Sequence, residues 1–105
     1  MILEDLISSQ DLNSYEGREA LLSALEEKTE SERGNPHRHI WCLLHDALHW
    51  STQWPSKQDI LELVDLAQRV DYPTMKVALL RNGLRLWPPI DGLLARERVG
   101  VSENP

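Results

Sequence analysis

The sequence contains no phenylalanine and only one cysteine, and both features constrain the fold. A single thiol, Cys42, excludes an internal disulfide framework and is typical of proteins from a reducing compartment. Without phenylalanine, most of the large-ring surface belongs to tryptophan, which anchors protein cores and interfaces. The four tryptophans are Trp41, Trp50, Trp54 and Trp87.

Glycine is also scarce, and the five glycines are scattered singly. The sequence therefore contains neither a GxGxxG nor a Walker-type phosphate loop. No apolar run is long enough to span a bilayer, and the first residues lack the basic segment of a signal peptide. We expect a cytoplasmic protein that does not insert into membranes.

Positive charge is in short supply, since the formal net charge is −6 at pH 7. The imbalance lies in residues 1–56, which carry ten acidic and four basic side chains, whereas residues 57–99 carry six and seven. An acidic chain is a poor general binder of nucleic acid, although the basic residues between Lys76 and Arg98 form a local exception.

A length of 105 residues predicts one domain, 1–105, with a modest core. Residues 1–13 are expected to form a short N-terminal helix or clip, and residues 100–105 a loose tail. Every periodic segment repeats with a helical spacing, and none alternates as a strand does. The sequence therefore predicts an all-α fold, a small bundle of four to six helices.

The clearest pattern is a helical hairpin at 57–87. Ser56 is a candidate N-cap for the first helix, with Asp59 completing a capping box. Pro73 predicts the start of the second helix, and the apolar period favours continuation through Gly83 to Trp87, although Gly83 can also end the helix after Asn82. The predicted apolar positions are Ile60, Leu63, Val64, Ala67 and Val70 in the first helix, and Met75, Val77, Leu79, Leu80, Leu84 and Leu86 in the second.

Two further helices precede the hairpin. Ser14 is a candidate N-cap for a helix that reaches Lys28, followed by a polar surface connection at 29–34. Asn35 and Pro36 are typical of an N-cap and a first helical residue, and the chain has no helix breaker from there to Trp50. A last short helix is predicted from Asp91.

Four potential metal ligands share one face of the central helix: Cys42, His45, Asp46 and His49. Zinc could use the thiolate and the two imidazoles if His37 or His39 completed the set. One straight helix rarely wraps three turns around an ion, so we favour a half-polar packed face, no metal and no cofactor. Catalysis by Cys42 and His45 is not expected either, because nothing nearby would activate the thiol or stabilise an oxyanion. We predict that the chain is not an enzyme.

The segment 66–85 also fits the spacing of a helix-turn-helix, with Ala67, Val77 and Leu80 as the packed positions. A DNA-binding transcriptional regulator is therefore the alternative hypothesis. Its second helix would present only Lys76, Arg81 and Arg85 to phosphate, which is little positive charge for this purpose.

The segment Trp54–Arg98 resembles the TyeA-like proteins of bacterial type III secretion. The similarity rests on the tryptophan-led helix start WPSKQDILEL, the Pro73-Thr74 turn, the Lys76-Val77 pair, the proline-ended segment 84–88 and the run LLARER at 93–98. The resemblance implies a small helical bacterial protein that binds the gatekeeper subunit and regulates the order of export. Residues before Trp54 are more numerous than that family leads one to expect.

Residues and resemblance together predict a non-catalytic interaction module that binds an amphipathic helix of another protein. Trp54 and Trp87 flank helix ends, where a large ring is harder to enclose than in mid-helix, and two arginines lie on the neighbouring polar stripe. The predicted partner-binding residues are Trp54, Trp87, Arg81, Arg85 and Leu84. The sequence leaves the oligomeric state open.

Overall fold

The computed structural model describes residues 2–86, and within that range the chain forms five α-helices and no strand. This confirms the predicted small all-α bundle. In residues 2–86 no helix is both long and apolar enough to cross a membrane. The helices are α1 (Leu3–Ser9), α2 (Tyr15–Ser31), α3 (His37–His49), α4 (Lys57–Ala67) and α5 (Tyr72–Arg81).

Side-chain caps fix three of the helix starts, because each satisfies a backbone N–H that has no helical partner. The Ser14 hydroxyl accepts from the Gly17 N–H at 3.0 Å, and the Ser56 hydroxyl accepts from the Asp59 N–H at 3.1 Å. Both caps were predicted. A carboxylate oxygen of Asp71 accepts from the Thr74 N–H at 3.0 Å, so α5 starts at Tyr72, one residue before the predicted start.

Helix α2 continues past its predicted end at Lys28 and reaches Ser31. Polar side chains stabilise its last turn locally. The Thr29 hydroxyl donates to the Leu25 carbonyl at 2.8 Å, and Lys28 forms an ion pair with Glu32 at 3.2 Å. The segment 29–34 is thus helical at first, although it lacks apolar residues, and only its second half is a connection.

Helix α5 ends at Arg81, so the preferred continuation through Gly83 was wrong. Gly83 has φ of 78°, a left-handed conformation that side-chain-bearing residues rarely adopt. The Gly83 N–H donates to the Leu80 carbonyl and the Leu84 N–H to the Leu79 carbonyl, which is the Schellman arrangement. This turn directs Leu84 back into the core, where it is buried. The predicted helix at Asp91 and the tail 100–105 lie outside the described residues.

Helix α3 lies at the centre and packs against α2, α4 and α5. The core consists of aliphatic residues from all five helices around one buried tryptophan, Trp41, which is 1% exposed. Its fully buried members include Ile7, Leu21, Leu25, Leu44, Leu48, Ile60, Leu63, Val64, Met75 and Leu79.

The short helix α1 runs antiparallel to α4. At one end the Lys57 ammonium donates to the Ser8 carbonyl at 3.3 Å, and at the other the Gln68 amide donates to a Glu4 carboxylate oxygen at 3.2 Å. Between these contacts Ile7 is completely buried. A seven-residue helix is unstable alone, so its docking on α4 and α2 maintains it.

Candidate functional site

Helix α5 buries one side and leaves large aliphatic residues on the other. Met75 and Leu79 are fully buried, whereas Val77 is 46% exposed and Leu80 is 55% exposed. Positions 77, 80 and 81 are three and four residues apart, so these side chains are neighbours on one helical face. We define Val77, Leu80 and Arg81 as the outer surface of α5. The predicted apolar face of this helix was therefore too wide, since only part of it packs inward.

The predicted site residues at the end of α5 separate into two groups. Arg81 and Arg85 are exposed, and neither forms an ion pair with a described residue. Leu84 lies between them in sequence but is buried in the core, so its side chain supports α5 and is not available to a partner. Trp87 lies outside the described residues.

Trp54 occupies a different place, the connection between α3 and α4. Its indole N–H donates to the Leu48 carbonyl at 3.0 Å, and the Arg18 guanidinium lies 5.1 Å from its ring centroid. The ring is half-buried against the core. These contacts join Trp54 to the ends of α2 and α3, and no described contact joins it to Arg81 or Arg85.

The sequence did not predict which of the tryptophan rings are buried and which are exposed. Trp41 is enclosed, while Trp50, just after α3, is 55% exposed and lies edge-on to the His49 ring at a centroid distance of 4.8 Å. Sequence reasoning also overlooked Arg18, whose contact with Trp54 joins distant parts of the chain and leaves no local pattern.

Three of the four potential ligands on α3 are joined by hydrogen bonds, and the fourth, His49, stacks on His45. His45 is central: its Nδ1 lies 2.8 Å from an Asp46 carboxylate oxygen, and its Nε2 lies 3.3 Å from a Glu26 carboxylate oxygen on α2. Cys42 Sγ lies 3.6 Å from the other Asp46 oxygen, and the His49 ring is parallel to that of His45 at 5.7 Å. His45 thus links the two helices that share the bundle's most extensive contact.

This cluster of side chains offers little for thiol chemistry. Burial, assisted by the Asp46 carboxylate, raises the pKa of the Cys42 thiol to about 11, so the nucleophilic thiolate is scarce at neutral pH. Among residues 2–86, no three cysteine, histidine or acidic side chains are placed to hold a metal ion. The cluster is better suited to positioning α2 against α3.

The His45 contacts predict a pH-dependent contribution to stability. The hydrogen bond that the His45 ring donates to the Asp46 carboxylate raises the pKa of His45 above its ordinary 6.5, with smaller contributions from the Asp46 and Glu26 charges, while burial opposes the shift. A raised folded-state pKa means that this stabilisation is complete below 6.5 and is lost as the pH rises through the folded-state pKa. The groups in contact with the ring are Glu26, Asp46 and His49.

To measure this effect, urea unfolding of the wild type and of His45→Gln is compared at about pH 5.5 and about pH 8. We expect the free energy of unfolding of the wild type to exceed that of the variant by more at the lower pH. An equal difference at both pH values, or a larger difference at the higher pH, contradicts the assigned pairing of His45 with Asp46 and Glu26.

No family model matches this chain, and neither the curated proteins nor the solved structures contain a significant match.

Proposed function

We propose that this chain is a non-catalytic interaction module whose outer surface of α5 binds an amphipathic helix of another protein. The observation that carries the proposal is the exposure of two adjacent aliphatic side chains, Val77 and Leu80, on a helix whose opposite side is fully packed. Neither side chain is needed to complete the core, and both would leave water on binding a partner.

The apolar contact would supply most of the binding energy. Fully burying a valine or leucine side chain is worth about 1.5–3 kcal/mol each, and both residues here are already half-covered, so their gain is smaller. An amphipathic helix laid along α5 can pack its ridge of apolar residues between those of α5, as helices do in bundles.

The charges beside this stripe favour an acidic flank on the partner helix. Arg81 is part of the outer surface, and Arg85 follows the turn at Gly83. Exposed charges of this kind contribute mainly to the association rate and to the choice of partner. Their removal should therefore slow association and make binding less sensitive to salt. The predicted site thus keeps Arg81 and Arg85 and gains Val77 and Leu80.

The sharpest form of the proposal follows from the resemblance to TyeA-like proteins. In that form the partner is the gatekeeper subunit of a bacterial type III secretion system, and the complex regulates the order of export. Helices α4 and α5 and the turn that joins them fall within the segment that carries the resemblance.

The helix-turn-helix alternative receives less support from the packing. Its spacing requires Val77 and Leu80 to pack inward, and both are exposed. Its second helix would also present two aliphatic side chains to a nucleic acid backbone that attracts cations.

Replacing Leu80 with lysine should abolish partner binding without unfolding the domain. Lysine is a good helix former and position 80 is exposed, so the free energy of unfolding should change by less than about 1 kcal/mol. Co-purification of the partner from the native host and the thermal melt are measured together. Tyr15→Lys is the matched control, because Tyr15 is 76% exposed on a different helix, and it should retain the partner.

Two results would contradict the proposal. One is equal retention of the partner by Leu80→Lys and Tyr15→Lys. The other is specific DNA retention by the wild type that is lost in a variant carrying Arg81→Glu and Arg85→Glu, with protein partners still bound, which would support the helix-turn-helix.

A further inference from the structure

A second candidate site differs from the aliphatic outer surface of α5 in being polar. It is a cleft between the start of α2 and the start of α4. It encloses about 450 Å³, within the range of small-ligand sites. Two cationic side chains and one aromatic ring line it, together with the turn that precedes α2. The lining includes Asp11, Leu12, Asn13, Arg18, Trp54 and Lys57.

Arg18 is held in a fixed position in this cleft. Its Nε donates to the Leu12 carbonyl at 2.8 Å, and its guanidinium lies over the Trp54 ring. Trp54 is itself fixed by its hydrogen bond to the Leu48 carbonyl. Because these contacts use only Nε and the guanidinium face, the terminal amino groups, which form the fork that binds oxyanions, have no partner among the described residues.

An arginine without a carboxylate is unexpected in this part of the chain. Acidic residues outnumber basic ones there by ten to four, and the other three cations, Lys28, Arg33 and Arg38, are all paired with glutamates. Lys57, on the other side of the cleft, contacts the Ser8 carbonyl and likewise forms no ion pair with a described carboxylate.

We propose that this cleft binds a carboxylate presented by an acidic side chain of a protein partner. One guanidinium fork matches one carboxylate in a bidentate pair, and Lys57 adds a second cation. Asp11 also lines the cleft, and its side chain accepts from the Asn13 N–H at 3.0 Å. The net charge of these three side chains is thus a single positive charge, which suits a carboxylate better than a phosphate dianion.

This inference rests on the proposed function and extends it, because it names a second contact between this chain and the same partner protein. It predicts an acidic residue on the partner in addition to the apolar helix face bound by α5. The two sites share no residue, so each can fail alone.

The test uses the purified full chain and NMR, which resolves the Arg18 Nε–H and the Trp54 indole N–H. Capped glutamate (N-acetylglutamate α-amide) should shift both signals saturably, with a dissociation constant on the order of millimolar, as expected of a bidentate pair of charge-assisted hydrogen bonds. Capped glutamine, which has the same shape without the charge, should shift neither at the same ionic strength. Tighter binding of inorganic phosphate would overturn the assignment to a carboxylate.

Three variants keep this test independent of folding. Arg18→Gln should remove the saturable response, and Arg18→Lys should weaken binding by about tenfold, because lysine retains the charge but not the fork. Lys57 is exposed, and its replacement removes only the hydrogen bond to the Ser8 carbonyl, so Lys57→Gln should weaken binding by a few fold in a folded protein. Saturable binding that is unchanged in all three variants, or no saturable shift in the wild type, overturns the proposal, and neither result bears on Leu80→Lys.

Discussion

Replacing Trp41 with alanine should lower the free energy of unfolding by about 3–5 kcal/mol, the cost of removing a buried aromatic ring and leaving a cavity. Trp41 is the largest fully buried side chain and lies on the central helix, with the Lys28 ammonium 5.5 Å from its ring centroid. The total free energy of unfolding of native domains is about 5–15 kcal/mol, so the variant should melt at a much lower temperature or be unfolded at 37 °C.

Trp50→Ala is the matched control, since that ring is more than half exposed. It should cost less than about 1 kcal/mol. Trp41→Phe, which restores an aromatic ring, should recover part of the loss. Urea unfolding monitored by circular dichroism measures all three. Equal losses for Trp41→Ala and Trp50→Ala would contradict the described core.

Replacing Gly17 with alanine should destabilise the domain, although the same change in an exposed helix interior stabilises by about 1 kcal/mol. A Cβ atom at Gly17 would lie 1.9 Å from the Asp11 carbonyl oxygen and 2.7 Å from its carbonyl carbon. Both are backbone atoms, and the same oxygen accepts from the Ser14 N–H and hydroxyl. The turn and the cap of α2 must therefore move together, at a cost of about 1–3 kcal/mol or more.

Ser23→Ala provides a control for helix propensity at an exposed position of the same helix. It should leave the stability unchanged or raise it slightly. Denaturant midpoints of the two variants are compared with the wild type. A gain in stability for Gly17→Ala would contradict the close contact between the Asp11 backbone and Gly17 of α2.

Local signals predicted the elements that depend on local physics. The cap at Ser56 and the buried positions Ile60, Leu63, Val64 and Ala67 of α4 were all present in the sequence pattern, because capping and helical periodicity act within a few residues. The polar end of α2 was missed because a pattern of apolar residues carries no information about stabilisation by Thr29 and Lys28.

The candidate site depended on tertiary packing, which the pattern could not resolve. In α5, two apolar stripes repeat with the same period, and only contact with α3 and α4 selects Met75 and Leu79 for the core. At the end of α5 two local signals disagreed: the apolar period favoured a longer helix, and Gly83 favoured an end after Asn82. The helix ends at Arg81, because the left-handed conformation of Gly83 allows Leu84 to pack in the core. Arg81 and Arg85 are exposed. The contact of Arg18 with Trp54 has no local signal, because it requires the folded chain.

Site-specific photocrosslinking in the native host tests the binding role of α5 most directly. A benzophenone amino acid replaces Leu80 in one strain and Tyr15 in another, and mass spectrometry identifies the adducts and the crosslinked residues. We expect position 80, and not position 15, to crosslink to one protein, at an amphipathic helix of that protein. Crosslinks to DNA from position 80, or the same adducts from both positions, would contradict it.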